Sequence, residues 1–310
     1  MTATPGETKD AAPTRCGFVA LIGAPNAGKS TLVNQLVGGK ISIVSHKVQT
    51  TRARIRAITI EGASQVVFVD TPGIFLPKRR LDEAMVQAAW SSAGDADVIV
   101  LVVDARRGRD EEVDRILEGT AAVRTPVVLV LNKIDTIERP TLLDLAAELH
   151  ARGRFDATFM VSALTGDGVA DLRADLAGRM PEGPWLYPED QIADVPLRLL
   201  ASEVTREKVF NRLHDELPYH STVETEKWTE GKDGSVRIEQ VIYVQRAGQK
   251  KIVLGAGGQT IKKIGQDARL ELQEFLGRKV HLFLFVKVRE RWSEDPERYR
   301  QMGLDFPKSG

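Results

Sequence analysis

The eight residues Gly23, Ala24, Pro25, Asn26, Ala27, Gly28, Lys29 and Ser30 restrict this chain more than any other stretch. They fit the pattern G-x-x-x-x-G-K-[ST], in which glycines let the backbone curl into a nest of N–H donors around phosphate oxygens. The apolar run at 18–22 before them has the length of a buried strand, and residues 31–37 after them place apolar side chains at helical spacing. Strand, glycine loop and helix in that order put the positive end of a helix behind the phosphates. In such a loop the lysine, here Lys29, reaches the β- and γ-phosphates, and the Ser30 hydroxyl ligates Mg²⁺. The pattern calls for a nucleoside triphosphate and leaves the base open.

Further signals follow in order. Residues 41–54 are polar, rich in hydroxyls and basic at their end. A loop at this place is where a nucleotide-sensing segment lies. Thr51, or with less weight Thr50, would bind Mg²⁺ and γ-phosphate together, and loss of that phosphate would free the loop. Residues 55–60 and 66–69 read as strands whose connection is short enough to require an antiparallel hairpin. Asp70, Thr71, Pro72 and Gly73 close the second of them. A carboxylate there suits Mg²⁺ through water. Gly73 can turn its N–H toward the γ-phosphate without a side-chain clash. Residues 98–103 and 127–131 are nearly unbroken apolar runs, as in a parallel sheet buried on both faces, with helices expected at 81–92 and 110–122.

The run at 127–131 ends in Asn132, Lys133, Ile134 and Asp135. A carboxylate at Asp135 can accept from guanine N1–H and the 2-amino group together, whereas adenine would leave it unpaired. Asn132 would hold guanine and the phosphate loop, and the Lys133 stem would lie against the base. After a strand at 159–161, backbone N–H groups of Ser162, Ala163 and Leu164 would cap guanine O6.

These motifs together resemble the GTPases of the Era and TrmE type over residues 16–180. The resemblance implies an α/β domain with a mixed, mostly parallel sheet that hydrolyses GTP to GDP with Mg²⁺. Its implied metal ligands are Ser30, Thr51 and Asp70, its catalytic residues Lys29, Thr51 and Gly73, and its nucleotide contacts extend to Thr31 and Ile74. Ras-like enzymes place a water-orienting Gln where this chain has Ile74. An isoleucine cannot hydrogen-bond water, so slow intrinsic turnover is expected, aided by a backbone group, a cation or a partner. Relatives with an asparagine at the Asn26 position recruit K⁺, and a K⁺ site is expected there.

Pro and Gly at 181–188 end this part of the chain. The expected divisions are a flexible tail at 1–14, the GTPase domain at 15–184, a linker at 185–196, a second domain at 197–290, and a short helix and tail at 291–310. The second domain reads as helix, two strands with a turn at 231–234, a short helix at 249–254, Gly255-Ala256-Gly257-Gly258, a long helix at 259–276 and a strand at 282–288. That order resembles a type II KH domain, an α+β module that binds single-stranded RNA. Glycines admit an RNA backbone, while helix ends and Lys250, Lys251, Lys262 and Lys263 neutralise phosphate. Bases would lie beside Ile252, Val253 and Ile261. Residues 195–290 hold 17 Lys and Arg against 13 Asp and Glu, and the surplus gathers near that loop. The inner positions Ala256 and Gly257 are uncharged, which shifts the expected RNA grip to the flanking lysines.

A GTPase domain followed by one KH domain resembles the Era family of bacterial GTPases over nearly the whole chain after residue 14. It implies binding to 16S rRNA near its 3′ end and to a small-subunit precursor, as a ribosome assembly factor whose GTP or GDP state controls RNA binding. Two other readings are a tRNA-modification GTPase subunit and an RNA-binding scaffold that holds GTP structurally. The first needs a reactive C-terminal cysteine, and the one cysteine is Cys16; the intact Lys29, Ser30 and Asp70 weigh against the second, which Ile74 keeps open.

Composition excludes several classes. With 43 Lys and Arg against 43 Asp and Glu, the chain as a whole is no polycation, so a nucleic-acid site must come from local charge. One cysteine rules out an intramolecular disulfide, and the five histidines lack metal-ligand spacing. No apolar run approaches the ~20 residues of a membrane span. The first residues lack the basic start and apolar core of a signal peptide. A cytoplasmic monomer is expected, with peripheral contact at the inner face of the cell membrane as an additional expectation.

Overall fold

A computed structural model describes residues 13–45, 47 and 49–307. Residues 1–12 of the expected tail, His46, Val48 and the last three residues lie outside the described residues. The first sheet contains β1 (Arg15–Ile22), β2 (Ile55–Glu61), β3 (Ser64–Asp70), β4 (Val98–Asp104), β5 (Val127–Asn132), β6 (Ala157–Val161) and β7 (Ala193–Asp194). Their order is β6-β5-β4-β1-β3-β2-β7, parallel except where β2 runs against β3 and β7 against β2. Every residue of β3, β4 and β5 is buried. The reason is helices on both faces. On one side α1 (Lys29–Val37) and α5 (Val169–Gly178) supply Leu32, Leu36, Leu172 and Leu176. On the other, α2 (Arg80–Gly94), α3 (Glu111–Ala121) and α4 (Arg139–His150) supply Ala89, Ile116, Leu117 and Leu145.

The chain between the domains is not slack. Gln65 accepts from the Leu186 and Tyr187 N–H groups at 2.8 and 3.0 Å and donates to the Tyr187 carbonyl at 2.8 Å. Trp185 Nε1 donates to Ala63 at 3.0 Å, and β7 pairs with β2. The segment thus straps the sheet edge, and only Val195 and Pro196 separate it from the next helix.

The second sheet has β8 (Ser221–Glu230), β9 (Val236–Val244) and β10 (Val280–Val288), in the order β10-β9-β8. β9 runs against β8 and parallel to β10. The helices α6 (Leu197–Arg212), α7 (Ala247–Leu254) and α8 (Gln259–Leu276) close one face through Val209, Val253, Ile264 and Leu272. The other face meets α2 of the first domain and the C-terminal helix α9 (Pro296–Gln301). There Leu81, Met85 and Ala88 pack with Val241, Tyr243, Trp292 and Tyr299. α2 therefore serves two cores, one in each domain.

Candidate nucleotide site and RNA groove

A cavity of about 460 Å³ opens at the C-terminal ends of the parallel strands, where ligands of open α/β sheets bind. Pro25, Asn26, Gly28, Lys29, Ser30, Thr31, Thr51, Gly73, Asn132, Lys133, Asp135, Ala163 and Leu164 line it. Close packing dictates the glycines. A Cβ on Gly28 would lie 2.2 Å from Asn132 Nδ2, and one on Gly73 would lie 2.9 Å from the Pro25 nitrogen. Lys29 folds back over the loop and donates to the Gly23 and Ala24 carbonyls, both at 3.0 Å. Burial lowers its pKa to about 8, against the opposing pull of Asp70. A bound phosphate would favour the charged form further.

Ser30 Oγ lies 2.7 Å from Thr51 Oγ1, which in turn lies 3.4 Å from Asp70 Oδ2. Three residues far apart in sequence thus converge on one point. Burial raises the Asp70 pKa, with the Ser30 hydroxyl and the Lys29 charge opposing. Asp70 Oδ1 is buried with no hydrogen-bond partner among the described residues. An unsatisfied buried carboxylate oxygen beside two hydroxyls fits a hard, oxygen-preferring cation such as Mg²⁺.

At the base end, Asn132 Nδ2 donates to Ala27 at 2.9 Å, and Asn132 Oδ1 accepts from Ala163 N at 3.0 Å. One side chain therefore joins the phosphate loop to the Ser162–Leu164 turn. Lys133 adopts a left-handed backbone, φ 70°, and donates to Asn26 O at 2.6 Å and to Asp104 at 2.7 Å. Ser162 Oγ donates to Asp135 Oδ1 at 2.6 Å, which fixes the carboxylate at the cavity wall.

Other expected residues stand behind the cavity. Thr71 Oγ1 donates to Leu21 O at 2.6 Å and ties its turn to β1. Ile74 donates its N–H to Gly23 O at 3.1 Å, while its side chain is 4% exposed and belongs to the core. The space beside Gly73 thus receives no side chain from Ile74. Gly23, Ala24, Ala27, Asp70 and Pro72 are not among the residues lining the cavity, although Asp70 reaches Thr51 beside it. Sequence reading missed Gln49, whose φ is 57° and whose Oε1 accepts from Arg79 at 3.1 Å, and Arg106, just past the end of β4. The position of Arg106 at a strand end was the available signal.

In the second domain Gly255, Ala256, Gly257 and Gly258 join α7 to α8, with Gly257 at φ 57° and Gly258 at 77°. Lys251, Lys262 and Lys263 are exposed nearby, and Lys250 is half-buried. A groove of about 510 Å³ runs between α8 and β10, lined by Ile261, Lys262, Gly265, Arg269, Leu282 and Leu284. One expectation needs correction: Val253 is fully buried in the core, because α7 turns that side chain under the sheet. Ile252 is 59% exposed but lies outside the groove lining. The apolar wall comes instead from β10, whose alternate residues face the helices.

Residues 18–133 match the family described as 50S ribosome-binding GTPase, and residues 216–293 match the KH domain. Curated relatives called GTPase Era are 64% identical over 300 residues in Afipia carboxidovorans and 65% over 302 in Brucella suis biovar 1, each covering 97% of both chains. The relative in Rhizobium meliloti is 64% identical and covers 99% of both. Two solved structures share the fold at TM-score 0.89, covering 94% of this chain and 99% of theirs. One is Aquifex aeolicus Era Y63A bound to GDP·AlF4⁻, at 38% identity. The other is Era in complex with MgGDPNP and nucleotides 1506–1542 of 16S ribosomal RNA, at 39%.

Proposed function

The chain belongs to the Era family of GTPases, and from that premise we propose that it hydrolyses GTP and uses its nucleotide state to control binding to the 3′ region of 16S rRNA during small-subunit assembly. The observation that carries the reading is the pairing, in one chain, of the motif-lined nucleotide cavity with the glycine-lysine groove between α8 and β10.

The chain's own groups divide the work. The phosphate loop and Lys29 hold the β- and γ-phosphates. Ser30, Thr51 and Asp70 would hold Mg²⁺, which supplies charge neutralisation across the phosphates when bound. Gly73 presents its N–H toward the γ-phosphate. Asp135 selects guanine, and the Asn132 amide keeps the base loops in register with the phosphate loop. Single-stranded RNA would pass the Gly255–Gly258 loop with its bases against Ile261, Leu282 and Leu284.

A binding titration tests the whole. A labelled RNA copying the 3′ end of 16S rRNA is added to protein loaded with a non-hydrolysable GTP analogue or with GDP, at stated salt. Tight, sequence-dependent binding favoured by the analogue is the expected result. Binding indifferent to sequence and nucleotide would remove the rRNA half of the reading.

Two finer points belong to the same proposal. Asn26 lines the cavity at φ 63° and is the residue from which a K⁺ site would be built; equal hydrolysis rates in matched Na⁺ and K⁺ buffers would remove it. The protein acts as a cytoplasmic monomer that also touches the inner membrane face, which sedimentation and cell fractionation check.

A further inference from the structure

Thr51 belongs to the first domain, but the residues on either side of it are held by the second. The Thr50 carbonyl accepts from Arg206 on α6. Arg52 is 3% exposed, and its guanidinium donates to the carbonyls of Ser221 at 2.8 Å, Pro218 at 3.3 Å and Tyr219 at 3.3 Å. It also lies 5.4 Å from the Phe210 ring centre and 5.7 Å from that of Trp292. All of these partners are in the second domain or the segment after it. The same loop is tied at two earlier points: Val44 N donates to Glu207 Oε1 at 2.8 Å, and Lys47 Nζ donates to the Phe210 and Leu213 carbonyls.

We propose that Arg52 is a positioning residue for GTP hydrolysis, acting through Thr51, so that the second domain holds the Mg²⁺-ligand threonine on the phosphate loop. This rests on the GTPase reading above. The physical basis is leverage. Thr51 touches the first domain through its hydroxyl contacts with Ser30 and Asp70, whereas its two neighbours are fixed by a buried arginine fork and by Arg206. A planar guanidinium can satisfy three carbonyls in fixed directions, and a lysine ammonium on a flexible stem cannot reproduce that geometry. The guanidinium is buried, so the cation is placed there against its own desolvation, which a merely exposed surface contact would avoid.

The reading predicts a split that a simple domain clasp would not produce. GDP lacks the γ-phosphate that Thr51 serves, so GDP affinity should be insensitive to Arg52. The test uses full-length wild type, Arg52→Lys and Arg52→Ala, with Phe210→Leu as a variant that disturbs the arginine's bed from the second domain. The measurements are kcat, the Mg²⁺ concentration for half-maximal rate, and the Kd for GDP. Expected are a tenfold or larger fall in kcat for both Arg52 variants and a several-fold rise in the Mg²⁺ requirement. Phe210→Leu should give a smaller fall of the same kind, and GDP Kd should stay within twofold throughout. The inference is overturned if kcat and Mg²⁺ requirement stay within twofold of wild type, or if GDP affinity falls in step with them, which marks general loss of structure. Wild type that binds or hydrolyses no GTP would instead sink the parent reading.

Discussion

The two binding surfaces of this chain are built on opposite terms. Around the nucleotide cavity the protein's own atoms are committed: Asn132 satisfies the loops on both sides, Lys29 is bonded to the loop it serves, and Gly28 and Gly73 are glycines because backbone or amide atoms stand within 3 Å of where a Cβ would be. Around the proposed RNA groove fewer atoms are committed: Gly255 is held close, with a Cβ there 2.2 Å from Thr260 Oγ1, but the tip of the loop is open. Gly257 and Gly258 would place a Cβ in open space, and the nearby lysines Lys251, Lys262 and Lys263 point into solvent. The first site is preorganised and tolerates few changes. The second is a charged surface with room for substitution at Gly257 and Gly258.

The contrast breaks most sharply at Lys29. Lys29→Ala should lower triphosphate affinity by two orders of magnitude or more, roughly 3 kcal/mol for a lost charge-assisted contact in a buried site. RNA affinity of the nucleotide-free protein should stay within twofold. Isothermal titration with both ligands checks this, and unchanged nucleotide affinity would mean the loop is not a phosphate site.

A smaller effect is expected at Gly257. Its φ of 57° disfavours any side chain, but space is available. Comparing Gly257→Asp with Gly257→Asn separates backbone cost from charge, since both residues tolerate the left-handed region. The aspartate should weaken RNA binding about tenfold relative to the asparagine, near 1.4 kcal/mol, with GTP affinity unaltered. Equal RNA affinity for the two variants would count against phosphate passing this loop.

The least effect concerns the join between the regions, and it depends on pH. Burial pushes the Glu207 carboxyl up, but donation from Lys208, Lys40 and the Val44 N–H outweighs it and holds the pKa below the ordinary value of 4.5. A carboxylate depressed in the folded state stabilises that state above its ordinary pKa and loses the contribution as pH falls through the folded value. Glu207→Gln should therefore cost about 1 kcal/mol at pH 7, and the gap from wild type should narrow as pH falls below the ordinary carboxylate value and through the lower folded one. Thermal melts across that range would show it; a gap that persists in acid would mean the charge is irrelevant.

What was legible in the sequence follows the range of the interactions. The phosphate loop, the guanine motif and the buried valine runs of β4 and β5 are local patterns, and the structure assembles them at one sheet end. The α6–β8–β9–α7–α8–β10 order was legible for the same reason. α4 was legible in principle, since Leu142, Leu145 and Leu149 keep helical spacing and Pro140 stands in the first turn, where proline suits a helix start, but the sequence reading did not include it. β7 has two residues and exists through pairing with β2, so no periodicity could announce it. Arg52 read as one more basic residue at a loop end. Its meaning comes from carbonyls some 166 to 169 positions later, which no local window contains. Val253 was misplaced because alternation on a short helix does not say which side the sheet lies.

The strap along the sheet edge has a further consequence. Because β7 is pinned to β2, only Val195 and Pro196 connect it to α6, and two extended residues reach about 7 Å. A second domain released from its contacts could swivel but not depart. Tethered so briefly, it would face its docking surface at an effective concentration of order millimolar, however dilute the protein. Docking is then a unimolecular event, indifferent to copy number in the cell. A handful of contacts too weak to join two separate molecules suffices to decide it.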